Sequence, residues 1–239
     1  MHRGSPQSLS AGIFEVDGVL LASPHERAWR EALGDLADEA RFTTAMYKSR
    51  VAGKPRLSGA LAALQALGVP HAVQQAVVYG EHKQRRLEEL IHAEAVMAFH
   101  DELPFVRAVM ALGWPIAVAS SSKNANAMMK RIQLDTDRTL LEVVGSNVCG
   151  RDLKQGKPNP EIFLLAAAES PAASLNCFVV EDAPGGIEAA CAAGMTGLGV
   201  ARLHDAAPLW GAGVSLVVTR LDEVAIDELS QGRLCRCAS

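Results

Sequence analysis

Two carboxylates spaced i, i+2, Glu15 and Asp17, close the run Ile13-Phe14-Glu15-Val16-Asp17-Gly18-Val19-Leu20. At the end of a strand, a period of two puts both side chains on one side. Three more polar clusters follow along the chain: Ser120-Ser121-Ser122, Lys157 in Gly156-Lys157-Pro158, and the pair Glu181-Asp182. Together these groups form a set suited to phosphoryl transfer, which needs little beyond positioning and charge stabilisation. Plainer readings exist for each. Asp17-Gly18 is also a turn dipeptide, the serines are also a helix N-cap run, and Glu181-Asp182 is also a solvated acidic turn before Pro184-Gly185-Gly186. Lys154 is the better candidate for a merely solvated lysine, because Gly156 and Pro158 shape a tight approach around Lys157.

The elements between the clusters must bring them together. Residues 11–16 read as a strand, too short and too β-compatible for a helix. Residues 24–96 carry helical patterns only. Trp29, Leu33 and Leu36 share one face. Leu57, Leu61 and Leu64 share another, ended by Gly68 before Val69-Pro70. A third helix is expected over 72–92, with Val73, Val77, Leu87, Leu90 and Ile91 as its apolar points. After residue 97 the pattern alternates: a helix over 101–112, then apolar runs at 116–119, 140–144, 177–180, 196–200 and 214–218 with helical stretches between most of them. Short apolar strands separated by helices predict a parallel sheet covered on both faces. The expected architecture is a doubly wound, Rossmann-like α/β core of residues 1–22 and 97–239, interrupted by an α-helical insert over 23–96. In open parallel sheets, ligands bind beyond the carboxyl ends of the strands. The four clusters occupy such positions, the arrangement expected of one shared active centre.

Bulk properties limit the partners. The chain has 239 residues, 49% hydrophobic and 21% charged, with net charge −4. That balance offers no basic footprint for nucleic acid or for an anionic membrane, so a phosphate must be held by a few placed cations. No apolar run approaches the ~20 residues of a membrane helix. The N-terminal apolar segment is interrupted by Glu15 and Asp17, so it does not read as a signal peptide. Residues 1–10 read as a loose start. Five scattered cysteines without a CxxC pair favour reduced thiols and a cytoplasmic protein, and Cys235-Arg236-Cys237 reads as a disordered end.

Taken in order, the four clusters resemble the four motifs of the haloacid dehalogenase (HAD) superfamily of phosphotransferases, and within it the β-phosphoglucomutase-like group. The residues that carry the resemblance are Asp17-Gly18-Val19-Leu20, His25 with Ala28-Trp29, Gly53-Lys54-Pro55-Arg56, Ser120 through Asn124, Gly156-Lys157-Pro158, and Glu181-Asp182 with Gly185-Gly186-Ile187. The match extends over nearly the whole chain, the helical insert resembling a cap domain. By this resemblance the carboxylate at position 15 attacks phosphorus, and Asp17 is the general acid and base. Ser120 hydrogen-bonds the transferring phosphoryl group. Ser121, Ser122, Lys123 and Asn124 follow at a helix start that favours an anion. Lys157 pairs with phosphate and the first-motif carboxylate. Glu181 and Asp182, with Glu15 and Asp17 (through its main-chain carbonyl), would hold Mg2+. In the cap, His25, Arg56 and Lys83 would recognise substrate, with Trp29 in the cap core.

One position departs from the family pattern, which has aspartate where this chain has Glu15. Glutamate reaches about 1.5 Å further, roughly one C–C bond. Three consequences are open: a shifted backbone that restores geometry, slow turnover, or binding without turnover. The resemblance thus implies a Mg2+-dependent phosphotransferase acting on a hexose phosphate through a phospho-carboxylate, with cap closure excluding water. The alternatives are a small sugar-phosphate phosphatase and a Mg2+ and sugar-phosphate binding protein with little catalysis. Dehalogenation of 2-haloacids is disfavoured, because Asp17, Glu181 and Asp182 would repel a carboxylate substrate. The expected partner is a small phosphorylated sugar, and the expected state a monomer, with a dimer as the alternative.

Overall fold

The structure is a computed structural model that describes residues 8–52, 54–93, 96–202 and 206–237. Residues 1–7 of the expected loose start, and Gly53 of the Gly53–Arg56 motif, lie outside the described residues. Strand β1 (Ala11–Phe14) is buried along its whole length, and β2 (Leu21–Ala22) follows a tight turn. Four helices come next: α1 (His25–Glu31), α2 (Thr44–Met46), α3 (Arg56–Leu67) and α4 (Ala72–His92). Strand β3 (Met97–Ala98) returns antiparallel to β2. Then α5 (Glu102–Ala111), β4 (Ile116–Val118), α6 (Ala125–Met129) and β5 (Ser146–Asn147) follow. The last portion holds α7 (Glu161–Ala168), β6 (Cys177–Glu181), α8 (Pro184–Ala192), β7 (Thr196–Val200), α9 (Ala207–Gly211), β8 (Leu216–Val218) and α10 (Ile226–Ser230).

Six strands form one parallel sheet in the order β5-β4-β1-β6-β7-β8. It is the doubly wound α/β architecture expected from the alternating pattern. The chain divides into two compact units, residues 1–22 with 97–239 and residues 23–96. In the sheet unit, β1 lies between β4 and β6, which explains its unbroken apolar sequence. Phe14, Phe105 and Phe178 meet edge to face, with ring centroids 6.0–6.3 Å apart. Gly12 leaves the room they need, since a Cβ there would lie 2.8 Å from the Phe14 ring and 2.9 Å from that of Phe178.

The helical unit has its own core of Trp29, Leu33, Phe42, Leu64 and Tyr79, and the Tyr79 hydroxyl donates to the Trp29 carbonyl at 2.7 Å. Here the periodicity misassigned three residues. Leu57, Val73 and Val77 are exposed. The buried stripes run instead through Gly59, Ala60, Ala63 and Leu64 of α3 and Ala76, Tyr79, Gly80 and Lys83 of α4. Small residues at the crossing let the two helices approach closely, while Leu64, Leu87, Leu90 and Ile91 of the expected faces are buried.

Three further expectations are corrected. Residues 140–144 form no strand; residues 141–143 make a 3₁₀ turn, and the edge strand is β5. The Glu142 carboxylate accepts from the Thr139 amide at 2.7 Å and its hydroxyl at 2.8 Å, and this local cap holds the turn. The end at Cys235–Cys237 is ordered rather than loose. Ala225 N–H donates to the Cys235 carbonyl at 2.9 Å, and Cys237 N–H to that of Glu223 at 2.8 Å. Residues 8–10 are likewise tied down, with Leu9 buried and its N–H donating to the Gly232 carbonyl at 3.1 Å.

At the start of α5, two neighbouring buried acids take opposite states. Burial alone would raise Asp101, yet the Leu221 amide and Arg202 outweigh it and hold its carboxyl below the usual range. Glu102 is pushed up to about 9, first by burial, with the Asp101 charge adding to it against the Phe99 amide and Arg202. Its Oε2 accepts from Phe99 N–H at 2.8 Å, while Oε1 meets no hydrogen-bond partner among the described residues. Because the folded value lies above the ordinary 4.5, folding takes up a proton between those values. The resulting stability is full at low pH and lost as pH rises toward 9. Glu102→Gln, which mimics the protonated acid, is therefore expected to be more stable than wild type by on the order of 1–3 kcal/mol near pH 7.5. Urea unfolding at pH 5 and pH 8 checks this: the gap between the two proteins must widen with pH, and a constant gap would refute it.

Candidate active site

The carboxyl edge of the central strands builds the site. Glu15 follows β1 directly, and its N–H continues the ladder to the Val180 carbonyl at 3.0 Å. That bond sets Glu15 beside Glu181, the last residue of β6. Lys157, on the loop before α7, reaches between them and donates to Glu15 Oε2 and to Glu181 Oε1. Its ammonium also stands 5.0 Å from the centre of the Phe163 ring. The remaining carboxylate oxygens are engaged by backbone. Glu15 Oε1 accepts from Val16 N–H at 3.1 Å, and Glu181 Oε2 from the amides of Asp182 and Ala183 at 3.0 and 3.1 Å.

Two glycines make room for this packing. Gly18, at φ +82°, presents its Cα to Asp182, where a Cβ would collide with Oδ2. Gly186 does the same for the Glu181 carboxylate at the start of α8. Thus Asp182 and the turn after Asp17 lie against each other, and Glu181 is clasped between Lys157 and α8.

The charges do not balance. Burial pulls the Lys157 ammonium down, but Glu15 and Glu181 outweigh it and hold the lysine above its ordinary value. Glu181 stays above the usual carboxylate range because burial, reinforced by Glu15, exceeds the attraction of Lys157. Asp182 is an exposed residue, yet desolvation of its carboxyl comes first, then the charges of Glu181 and Glu15, with Asp17 adding to them; all hold it well above its ordinary value against Lys157. One lysine thus faces several carboxylates. Such a set of hard oxygen donors with surplus negative charge fits a small divalent cation. Among the described residues, no three His, Cys, Asp or Glu side chains form a ready cage. Magnesium is commonly held by one or two carboxylates together with waters and a substrate phosphate.

Residues 11–194 match the haloacid dehalogenase-like hydrolases. The chain belongs to this family. Relatives extend the likeness over most of the molecule. A β-phosphoglucomutase of Mycobacterium bovis is 31% identical over 251 residues, spanning 92% of this chain and 93% of that one. A fructose-1-phosphate phosphatase of Escherichia coli is 30% identical over 198 residues, covering 80% of this chain and 96% of its own length. The crystal structure of the β-phosphoglucomutase from Pyrococcus superposes with a TM-score of 0.73 at 28% identity, over 93% of this chain and 99% of that one. Both the family and its β-phosphoglucomutase-like group are therefore borne out, and the chain is an enzyme of this kind.

Around the HAD-type centre, Ser120 is buried at the end of β4, where its Oγ accepts from Ser122 N–H at 3.2 Å. Ser122 Oγ accepts from Asn124 N–H at 3.3 Å, a chain of local caps before the five-residue helix α6. Ser121 is exposed. Lys123 is exposed too, and its ammonium pairs with Asp152 at 2.9 Å. In the helical unit, His25 and Lys83 come together, with Lys83 Nζ 2.8 Å from His25 Nδ1 and 5.0 Å from the centre of the Trp29 ring. Burial, then the Lys83 charge, pushes His25 down to about 3. The imidazole is neutral, accepts through Nδ1, and carries its proton on Nε2. Arg56 opens α3, and its stem lies against Gly80, one turn before Lys83. Trp29 is buried in the helical core, as read from the sequence.

Two side chains near the centre escaped the sequence reading. Cys149 lies close enough to Ser120, Glu15 and Asp17 to feel them, and its thiol is pushed up to about 12 by burial and then by the Glu15 charge. Nothing in its local sequence marks it. Arg202 binds the turn after Asp17. Its signal was present, since it follows the apolar run 196–200 as the other clusters follow theirs.

Proposed function

We propose that this chain is a Mg2+-dependent phosphotransferase acting on a hexose phosphate, in the manner of a β-phosphoglucomutase. The observation that carries the reading is the joining of Glu15 and Glu181 by Lys157, with Asp182 against the Gly18 turn, at one carboxyl edge of the sheet. In this reading a Glu15 carboxylate oxygen attacks phosphorus and the bond from phosphorus to the sugar oxygen breaks. Asp17 gives its proton to that leaving oxygen. In the second half, an incoming hydroxyl loses its proton to Asp17 and takes the phosphoryl group, which frees Glu15. Lys157 offsets charge on Glu15 and the phosphate, and the Ser120 hydroxyl holds a phosphoryl oxygen. Glu15, the Asp17 carbonyl, Asp182 and, less directly, Glu181 would hold Mg2+, which when bound neutralises charge between two anions that must approach.

Transfer to a second sugar hydroxyl makes a mutase, and transfer to water makes a phosphatase. The E. coli relative supports the second outcome and the mycobacterial one the first. Arg56 leans toward the mutase, because a guanidinium suits bidentate capture of a second phosphate. A third reading, a binding protein with little turnover, rests on the resemblance, which implies an aspartate where this chain has the longer Glu15. The test is incubation with β-glucose 1-phosphate, following glucose 6-phosphate and free phosphate, in MgCl2 and in EDTA. Isomerisation that stops with EDTA is expected. Release of phosphate alone would select the phosphatase, and no turnover of any sugar phosphate despite retained binding would select the third reading.

A further inference from the structure

Arg202, just beyond β7, is bound on every side within the sheet unit. Its Nε donates to the Gly18 carbonyl at 3.1 Å and Nη2 to the Val19 carbonyl at 2.9 Å. Nη1 reaches both oxygens of Asp101, at 2.8 and 3.1 Å. The guanidinium carbon lies 3.7 Å from the centre of the Phe99 ring. Asp101 is itself buried and accepts from Leu221 N–H at 2.6 Å, so the anchor of the arginine is fixed by a third segment.

The place of this network gives it meaning. Gly18 follows Asp17 directly and adopts φ +82°, a region open to glycine but poorly populated by other residues. Glycine supplies no rigidity of its own, and the peptide planes on either side of it carry the Asp17 and Gly18 carbonyls. Asp182 blocks one side of its Cα, and Arg202 holds the carbonyl on the other. Phe99 and Asp101 lie just after β3, the strand on which the chain re-enters the sheet unit beside β2. One guanidinium therefore ties the turn bearing Asp17 to the returning segment.

We propose that Arg202 is a positioning residue that fixes the Asp17–Val19 turn, with Asp101 as its buried anchor. It touches no reacting atom; it sets where the Asp17 carboxylate and carbonyl stand. The inference rests on the reading of Asp17 as general acid and base for its catalytic consequence, and on the geometry alone for its structural one. Lysine would not replace it, because the planar fork that meets two carbonyls and stacks on Phe99 belongs to arginine.

The test uses the full chain with Arg202→Ala and Arg202→Lys, and has two readouts. Amide hydrogen exchange across residues 16–21 is expected to accelerate by about 10-fold or more in Arg202→Ala, while β6 remains as in wild type. Turnover of β-glucose 1-phosphate is expected to fall by roughly 10- to 10²-fold with KM changed less than about threefold. Added guanidinium chloride at millimolar concentration should restore part of the rate, and equimolar NaCl should not. Unchanged exchange at residues 16–21 overturns the proposal, as does a rate loss that guanidinium leaves untouched or that Arg202→Lys escapes. Should wild type transfer no phosphoryl group, the proposed function fails by itself, and the exchange measurement still decides whether Arg202 holds the turn.

Discussion

Glu15→Asp is expected to raise phosphoryl transfer by about 10²-fold, since an error near 1 Å at a nucleophile costs about that much. In wild type both carboxylate oxygens are engaged, Oε1 by the Val16 amide at 3.1 Å and Oε2 by Lys157. The added methylene moves those oxygens about 1.5 Å from where an aspartate on the same backbone would hold them. It also lets the side chain fold back onto the following amide, that of Val16. Aspartate keeps the i, i+2 relation to Asp17 and removes one buried methylene, at a cost of roughly 1 kcal/mol. The check is kcat for β-glucose 1-phosphate, with parallel phosphate release, for both proteins in Mg2+. Activity confined to the aspartate variant would make the natural site a weakened one. Equal rates would mean that the local backbone has absorbed the extra length, and a slower variant would sink the argument.

Lys157→Met carries the other large effect, on stability as well as rate. The substitution keeps an unbranched side chain against Phe163 but removes the ammonium that pairs with both Glu15 and Glu181. Breaking a buried pair by deleting one partner typically costs about 3–5 kcal/mol, because a desolvated charge is left uncompensated. Turnover is expected to drop by about 10²-fold or more, in line with the loss of a group that stabilises transition-state charge. The pH dependence identifies the cause. Glu181 and Asp182 lie above the ordinary carboxylate range even with the lysine present, so folding takes up protons there. Stability from such groups grows as pH falls and is lost as pH rises. The deficit of Lys157→Met in urea unfolding should therefore be largest near pH 8 and shrink toward pH 5. A deficit independent of pH would point to lost packing on Phe163 instead.

Much of the site could be read from local pattern, because each cluster follows a short apolar run and sheet physics places strand ends together. Glu15, Ser120 and Glu181 were placed at strand ends in this way, and the parallel sheet that aligns those ends followed from buried strands alternating with helices. Helical faces were read less well. Leu57, Val73 and Val77 fit an apolar period, yet small residues at the α3–α4 crossing decided which stripe turned inward. The edge strand was displaced because Glu142 capping Thr139 outweighed the β-propensity of residues 140–144. The position of Arg202 after an apolar run was legible but passed over, and its pairing with Asp101 went unread, since a contact across 101 residues leaves no periodic trace.

The amino-acid order by itself determined the doubly wound sheet and the types of group at its carboxyl edge, for these depend on periodicity and on chemistry carried within a few neighbouring residues, and its motifs carried the resemblance to the family. Tertiary structure alone decided the partners of those groups: Lys157 between two glutamates, Asp182 against a glycine without Cβ, Arg202 across two carbonyls. Such contacts join segments far apart in the chain, and their geometry exists only after the core has packed.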